Sequence, residues 1–355
     1  MNTAPTGRHR LPVLAAVAVV GLVALAGCGV DIPDSGRAAS EDGSAQPTVE
    51  SASQPTTIPA AQAGHQWAPI KTAAITSGVQ TYTQGGQCTA NFVFVDDAGN
   101  VYLGQAAHCA STGKEDETNG CKAGSRPLAT TVTFHRGGSP AGGGDVIGRG
   151  QLAYSSWLTM QRGGEKDANT CAYNDLALVK VDAKYVPQVN PSVPFWGGPV
   201  DVNTSGTKSG DQVFSYGNSS LRAGLAALSP QSGASHGDDP SLGGWSHTLT
   251  SPTPGIPGDS GSAYLDSDGR ALGTLSTLGL SFPVINNVGD LDRELTYARA
   301  HSGIPGLKLV LGTESFDPAR LDNCLRSSPP IPPPSPPGFG PQASGTTPTA
   351  CTAGR

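Results

Sequence analysis

The sequence predicts an all-β domain with two lobes, in which many short strands are followed by one late helix. Runs of β-branched and aromatic residues alternate with turn residues through the central region. Two of these runs flank Asp96–Asn100, a segment typical of a hairpin turn. Strands and helices do not alternate, which argues against a parallel α/β sheet. The predicted strands are 91–95, 101–103, 128–134, 145–152, 176–181, 212–216, 245–249, 262–265 and 271–275.

Helical periodicity is almost absent before Asp290 and then becomes clear. Leu291, Leu295, Tyr297 and Ala298 are spaced to share one face of a helix. Gly303 follows at a position suited to ending that helix. The sequence therefore predicts one C-terminal helix.

The first residues predict export rather than folded structure. Arg8 and Arg10 precede an apolar run over 11–26 that is shorter than the ~20 residues of a membrane span, so residues 1–27 are predicted to be a signal peptide. The run closes on Leu-Ala-Gly-Cys, which resembles a bacterial lipobox and makes Cys28 the candidate lipidation site. Ordinary secretion with a conventional cut is the alternative.

Two polar segments border the predicted domain. Residues 28–65 are rich in Ser, Ala, Gln, Thr and Pro, and are predicted to be a disordered, lipid-anchored tether. Residues 325–355 are predicted to be a Pro-rich disordered tail. The folded domain is therefore expected over 66–324, and its position outside the cytoplasmic membrane follows from the export signal.

The charge and the cysteine content of the chain indicate which partners, metals and covalent links to expect. The net charge is −6, or −8 once the two arginines of the signal peptide are removed (−6 − 2), and no Lys/Arg-rich run is found, so nucleic acid is not an expected partner. Of the seven cysteines, six remain when Cys28 is set aside, and an even set in an exported chain favours disulfides. There is no Cys-x-x-Cys and no His pair at helical spacing, so neither a metal nor a cofactor is predicted.

Three local motifs occur in a fixed order along the chain. They are Ala-Ala-His-Cys ending at Cys109, Asn-Asp-Leu-Ala-Leu starting at Asn174, and Gly-Asp-Ser-Gly starting at Gly258. They contain His108, Asp175 and Ser260. A serine hydroxyl attacks a carbonyl when an imidazole takes its proton and a carboxylate fixes the tautomer of that imidazole. The three residues therefore predict a serine hydrolase.

The order of these residues discriminates between hydrolase folds. An α/β-hydrolase has Gly-x-Ser-x-Gly on a strand-to-helix turn, and its histidine follows the serine. Here Ser262 stands where that motif requires Gly, and His108 precedes Ser260. The chain instead resembles the chymotrypsin-like (trypsin-fold) serine peptidase family, exported bacterial branch, over about 75–311.

This resemblance implies a fold and a set of roles. It implies two antiparallel six-stranded β-barrels, with His108 and Asp175 from the first barrel and Ser260 from the second. Ser260 is then the nucleophile, His108 the base and Asp175 its orienting acid, while the backbone N–H groups of Gly258 and Ser260 form the oxyanion hole. The implied activity is that of a serine endopeptidase acting on protein or peptide substrates through an acyl-enzyme.

The resemblance also implies a disulfide between Cys88 and Cys109. Proximity and elimination then suggest Cys121–Cys171 and Cys324–Cys351, but six cysteines allow 15 pairings and the sequence alone leaves the pairing of these four open.

Asp182 is a rival to Asp175 for the role of the orienting acid. The alternative function is that of a binding module with the same fold that has lost catalysis. The other histidines are expected to have ordinary surface or structural roles; they are His65, His135, His236, His247 and His301.

Two features depart from the family pattern. Ser262 replaces a usual Gly, and no clear cleavage site precedes Ile75, where an activating N-terminus would be released to pair with Asp259. Either processing occurs near Ile75, or Asp259 has another partner.

The resemblance also bears on specificity. Members of the family that cleave after Arg or Lys carry an acid about six residues before the nucleophile, and the segment around Pro254 holds none there. Bacterial members that cleave after Glu use a His on the strand after the nucleophile, where this chain has Gly-Thr-Leu-Ser-Thr starting at Gly273. Small or medium apolar side chains remain, with Ser276, Thr277 and Leu278 as the expected substrate-binding wall.

Overall fold

The computed structural model describes residues 61–62, 64–113, 118–279 and 283–321. The predicted signal peptide, the Cys28 site, most of the tether, the Cys324–Cys351 pair and the tail lie outside these residues. Within them, no helix is both long enough and apolar enough to cross a membrane.

Over the described residues the chain forms eighteen strands and three α-helices. In chain order the strands are β1 (Ala61–Gln62), β2 (His65–Gln66), β3 (Ile75–Thr76), β4 (Gln80–Thr83), β5 (Gly86–Thr89), β6 (Val93–Val95), β7 (Val101–Ala106), β8 (Thr131–Arg136), β9 (Asp145–Ser155), β10 (Leu176–Val181), β11 (Val189–Asn190), β12 (Ser209–Tyr216), β13 (Pro230–Asp238), β14 (Ser246–Thr250), β15 (Ala263–Leu265), β16 (Ala271–Gly279), β17 (Ile285–Asp290) and β18 (Lys308–Leu309). The helices are α1 (Ser156–Gly163), α2 (Ala168–Tyr173) and α3 (Leu291–His301).

The second half of the domain is a closed barrel of six strands. Their order is β12-β13-β14-β17-β16-β15, and β15 pairs back with β12. Each pairing is antiparallel. Closure leaves this sheet without an exposed edge. The barrel predicted for this half is confirmed.

The first half is an antiparallel sheet of eight strands in the order β18-β6-β7-β10-β9-β8-β4-β5. It contains β18, a short strand from beyond the C-terminal helix, which pairs with β6. The predicted fold class, all-β with a C-terminal helix, is confirmed, although eight strands rather than six form this sheet.

Helix α3 begins and ends close to the predicted positions. Asp290 is its N-cap, and the Asp290 side chain accepts a hydrogen bond from the backbone N–H of Arg293 at 2.9 Å. Gly303 follows the end of the helix with φ +71°. Leu291, Leu295 and Ala298 are buried, as their spacing predicts.

The prediction of a single, C-terminal helix is wrong, because two short helices, α1 and α2, precede α3. Helix α1 is capped by the Ser155 side chain and ends at Gly164, which has a φ of +67°. Helix α2 is capped by Asp167. Both helices are short, and α1 buries little more than Trp157 and Met160, so neither produces a long periodic pattern.

A single hydrophobic cluster draws residues from both sheets and from α3. Phe92 and Leu178 come from the first half, Phe214 and Leu265 come from the closed barrel, and Leu295 comes from α3. The Trp196 indole, also in this cluster, donates to the Ser215 carbonyl at 2.7 Å. The two halves therefore bury apolar surface against each other as one core.

Candidate active site

Strand register brings His108 and Asp175 together. β7 and β10 run antiparallel with Ala106 opposite Leu176, so the end of one strand lies beside the start of the other. Asp175 immediately precedes β10, and His108 lies in a short 3-10 helix, Ala107–Ala110, that follows β7. The Ala107 N–H donates to the Asp175 carbonyl at 2.7 Å, which locks the two chain segments at this point.

The Asp175 carboxylate is held by three donors. Its Oδ2 atom lies 2.6 Å from Nδ1 of His108, and its Oδ1 atom accepts from the His108 backbone N–H at 2.9 Å. The Ser276 hydroxyl also donates to Oδ2, at 2.6 Å. Asp175 is only 4% exposed, so these contacts replace the solvation that burial removes.

In this arrangement the Ser276 side chain is a hydrogen-bond partner of Asp175. Sequence reasoning places Ser276 in the substrate-binding wall, but its hydroxyl is used by Asp175. The rival Asp182 pairs instead with Arg149 at 3.1 Å, on the surface.

The imidazole is oriented with one nitrogen engaged. Because Nδ1 bonds the carboxylate, Nε2 is the atom left for chemistry, and the His108 side chain is 27% exposed. Burial lowers the pKa of His108, but the charge of Asp175 and its hydrogen bond outweigh burial, so the pKa lies above the ordinary value.

Ser260 lies in the turn that leads into β15, and it is anchored to the first half of the domain. Its carbonyl accepts from the Thr89 N–H at 2.8 Å. Gly261 packs so closely that a Cβ there would lie 2.5 Å from the Thr89 carbonyl oxygen and 2.9 Å from the Ala106 nitrogen. Among the described residues the Ser260 hydroxyl has no hydrogen bond to His108, a contact that often tightens only when substrate binds.

The two amides predicted to form an oxyanion hole are open. In the described part of the chain, the N–H groups of Gly258 and Ser260 donate to no other group. Gly258 has a φ of +93°, a conformation that favours glycine, and a Cβ there would lie 2.1 Å from the Gln87 Oε1 atom, so the Gln87 side chain would have to move.

Asp259, the residue before Ser260, has its counter-ion within the domain. Asp259 is fully buried and forms an ion pair with Nη2 of Arg222, whose side chain is 10% exposed. Ile75 is itself buried in β3, where it pairs with Val189 of β11. Of the two possibilities left open by the sequence, the structure therefore gives Asp259 a partner other than an N-terminus near Ile75.

The departure at position 262 is accommodated by a hydrogen bond. Ser262 is fully buried, and its hydroxyl donates to the Asp259 carbonyl at 2.6 Å. The hydroxymethyl group therefore stabilises the turn that contains Ser260.

The predicted substrate-binding wall is half-buried. Asn286, a residue that sequence reasoning missed, holds it by hydrogen bonds to a neighbouring segment. Ser276, Thr277 and Leu278 lie in β16 and are partly exposed. Buried Asn286 of β17 donates to the Thr277 carbonyl at 3.3 Å, donates to the Gly255 carbonyl at 3.2 Å, and accepts from the Gly255 N–H at 2.8 Å. Asn286 thus joins the predicted wall to the segment that precedes Ser260.

A second residue that sequence reasoning missed lies behind the acid. Glu294 of α3 is fully buried, and its Oε1 atom accepts from the Asp175 N–H at 3.0 Å. Burial, with the charges of Asp175 and Asp290, raises the pKa of Glu294 well above its ordinary value of 4.5, against the opposing Asp175 N–H bond. Helical spacing places Glu294 on the same face as Leu291, Leu295 and Ala298, so the sequence offers a signal for its burial but none for its contact with Asp175.

Two disulfides are present among the described residues. Cys88–Cys109, implied by the resemblance, lies directly beside His108, and Cys121–Cys171 joins a turn at Cys121 to helix α2. Cys88, His108 and Cys109 have ligand atoms close to one another, but both sulfurs belong to a disulfide and are not thiolate ligands.

Of the other histidines in the described ranges, His247 is the most buried. It lies between Asp290, at 2.9 Å, and Asp238, at 3.1 Å. Because Asp290 also caps α3, His247 helps to hold the start of that helix in place.

No protein-family model matches the chain, and neither does any curated protein. Among solved structures, the chain is similar to Thermobifida fusca protease A, with 16% identity and a TM-score of 0.41 over 67% of this chain and 99% of that one. It is similar to Nocardiopsis protease, with 16% identity and a TM-score of 0.40 over 66% and 98%. It is also similar to a Glu endopeptidase, with 17% identity and a TM-score of 0.42 over 66% and 95%. At these identities the similarity carries no information about activity.

Proposed function

We propose that the chain is a serine endopeptidase in which Ser260 is the nucleophile, His108 the general base and Asp175 the orienting acid. The observation that carries the proposal is the buried Asp175 carboxylate, which engages Nδ1 of His108 at 2.6 Å and leaves Nε2 free in a half-open position. A carboxylate in this place selects the tautomer that accepts a proton at Nε2 and stabilises the imidazolium that forms.

Each step uses atoms that the fold holds in place. The Ser260 oxygen attacks the carbonyl carbon of the scissile bond while its proton passes to Nε2 of His108. The carbonyl oxygen becomes negative and is met by the open N–H groups of Gly258 and Ser260, each worth about 3–4 kcal/mol in such sites. The imidazolium then protonates the leaving amine, and the C–N bond breaks to give an acyl-enzyme. A water molecule hydrolyses this ester by the same route in reverse.

The location proposed for this activity is outside the cytoplasmic membrane. Two disulfides among the described residues support an oxidising compartment. The lipobox-like sequence at Cys28 supports a lipid anchor, and secretion without an anchor is the alternative. The expected partners are a protein or peptide substrate and a lipid anchor.

The alternative is a binding module of the same fold without catalysis. The observation that favours it is that the Ser260 hydroxyl is not bonded to His108 in the described residues. An unreactive protein could use the same cleft and the same wall to hold a peptide.

A fluorophosphonate probe distinguishes these two functions because it reacts only with an activated serine. The wild type is expected to be labelled, whereas Ser260→Ala is expected to remain unlabelled. Ser241→Ala, on an exposed loop, is the matched control and should be labelled like the wild type. A wild type that stays unlabelled while correctly folded would favour the binding module, and a peptide library would then be used to find a ligand.

A further inference from the structure

The peptide bond that carries the Gly258 N–H is held from its carbonyl side. The Ser219 hydroxyl donates to the Pro257 carbonyl at 2.6 Å. In a trans peptide the C=O and N–H groups point in opposite directions, so a bond that fixes one also fixes the other. The direction of the Gly258 N–H therefore depends on Ser219.

The next peptide bond is fixed in the same way. The Gly258 carbonyl accepts from Nε2 of Gln87 at 2.9 Å and from the Thr89 hydroxyl at 2.8 Å. The opposite group, the Asp259 N–H, donates to the Ile256 carbonyl at 2.8 Å. Both peptides next to Gly258 are thus held by polar side chains from outside the turn.

Ser219 is itself in one orientation. It is 1% exposed, its N–H donates to Oδ1 of Asp259 at 2.8 Å, and its hydroxyl oxygen accepts from the Leu221 N–H at 3.0 Å. Because a lone pair of the hydroxyl is used by Leu221, its proton is directed to the Pro257 carbonyl.

The turn needs this support because Gly258 provides little of its own. A glycine with φ +93° has no Cβ to restrict rotation of the preceding peptide. If that peptide rotates by half a turn, the Pro257 carbonyl enters the site in place of the Gly258 N–H. An acceptor then faces the developing negative charge, and one donor is lost.

We propose that Ser219 is a positioning residue that keeps the Gly258 N–H directed into the oxyanion hole, with Gln87 and Thr89 holding the far side of the same turn. This inference rests on the proposed peptidase function. It assigns a role to the loop that begins at Ser219, which carries no motif of its own.

The test compares Ser219→Ala with Ser219→Thr and with Ser220→Ala. Ser220 is the adjacent serine, and its hydroxyl makes no hydrogen bond among the described residues. Ser219→Ala is expected to lower kcat on a peptide ester by about 10²–10³, the loss typical of one oxyanion donor, with KM nearly unchanged. Ser219→Thr keeps the hydroxyl and should recover most of this loss, and Ser220→Ala should behave like the wild type.

A second readout separates this role from a general structural one. A peptide aldehyde forms a tetrahedral adduct with an oxyanion, so its affinity should fall by a factor close to that of kcat. Binding of an uncleaved peptide to the Ser260→Ala protein, with and without Ser219→Ala, should be the same. Equal kcat in Ser219→Ala and the wild type, or an aldehyde affinity that does not change, overturns the proposal.

Failure of the inference and failure of the proposed function give different results. If the wild type shows no labelling and no turnover, the proposed function fails before Ser219 is tested. If Ser219→Ala does not fold, Gln87→Met examines the same turn from the other side. It should lower kcat at constant KM, and an unchanged kcat in that variant contradicts the proposal.

Discussion

The ion pair between Arg222 and Asp259 gives the most specific prediction about stability. Replacing Arg222 by Met keeps most of the side-chain volume but leaves a fully buried carboxylate without its counter-ion. Removing one partner of a buried pair typically costs about 3–5 kcal/mol. Asp259 would retain its bonds from the N–H groups of Ser219 and Ile256, at 2.8 and 3.1 Å, and a weaker one from Gln231.

These remaining donors place the expected loss at the lower end of the range. We expect the free energy of unfolding to fall by about 3 kcal/mol, close to two orders of magnitude in the folding equilibrium. For a domain of this size the loss corresponds to a decrease in Tm of roughly 6–12 °C. Because Asp259 lies between Gly258 and Ser260, the rate of fluorophosphonate labelling should fall as well.

Urea unfolding and calorimetry of Arg222→Met measure this loss, and a surface ion pair provides the control. Arg149 and Asp182 are 55% and 33% exposed, so Arg149→Met should cost less than about 1 kcal/mol. The double variant Arg222→Met with Asp259→Asn removes the stranded charge and should recover most of the stability. If Arg222→Met loses no more stability than Arg149→Met, Asp259 does not depend on this counter-ion and the reasoning is wrong.

Three further predictions concern pH and covalent links. Because the pKa of His108 is raised, kcat/KM should increase with pH through a midpoint above about 6.5, and a midpoint well below that value would contradict the Asp175 contact. Burial raises the pKa of Glu294, so the folded protein binds the carboxyl proton of Glu294 more tightly than the unfolded chain does, and it loses stability as the pH rises from 4.5 toward the raised pKa. The Tm of Glu294→Gln should therefore equal that of the wild type near pH 4 and exceed it at pH 8. Glu314→Gln, on the surface, is the control and should show no such gain. Removing the Cys121–Cys171 bond, which spans 50 residues, should lower the free energy of unfolding by about 4 kcal/mol in urea titrations, and a change below about 1 kcal/mol would show that the bond does not restrain the unfolded chain.

The strands that the sequence predicts best are those that are continuous and apolar. The predicted bounds of β10, 176–181, agree with the structure. β13 was missed, because Pro230–Asp238 is rich in Ser and Gly and has little β propensity. Its strand structure depends on pairing with β12 and β14, which is tertiary information.

The candidate site shows the same division. The resemblance implies that His108 and Asp175 both come from the first barrel, and the Ala106–Leu176 register shows that they lie at adjacent strand ends. The neighbours that support them follow no local pattern. Arg222 precedes Asp259 by 37 residues, and the Glu294 contact spans 119 residues.

Ser276 illustrates how a predicted location differs from a predicted role. Its position after Ser260 in the chain predicts contact with substrate, and the structure shows its side chain half-buried in β16. Its hydroxyl donates to Asp175, which lies just before β10, and β16 also contacts β7, the strand that pairs with β10. The direction of one side chain on a known strand is set by packing between the two halves.

The internal partner of Asp259 has a consequence for when this site comes into being. Both members of the pair belong to the same continuous chain, and they meet once the turn before Ser260 packs against the loop at Arg222. Under the proposed function, the counter-ion of Asp259 is thus supplied by folding of the chain and not by a cleavage that releases an amine.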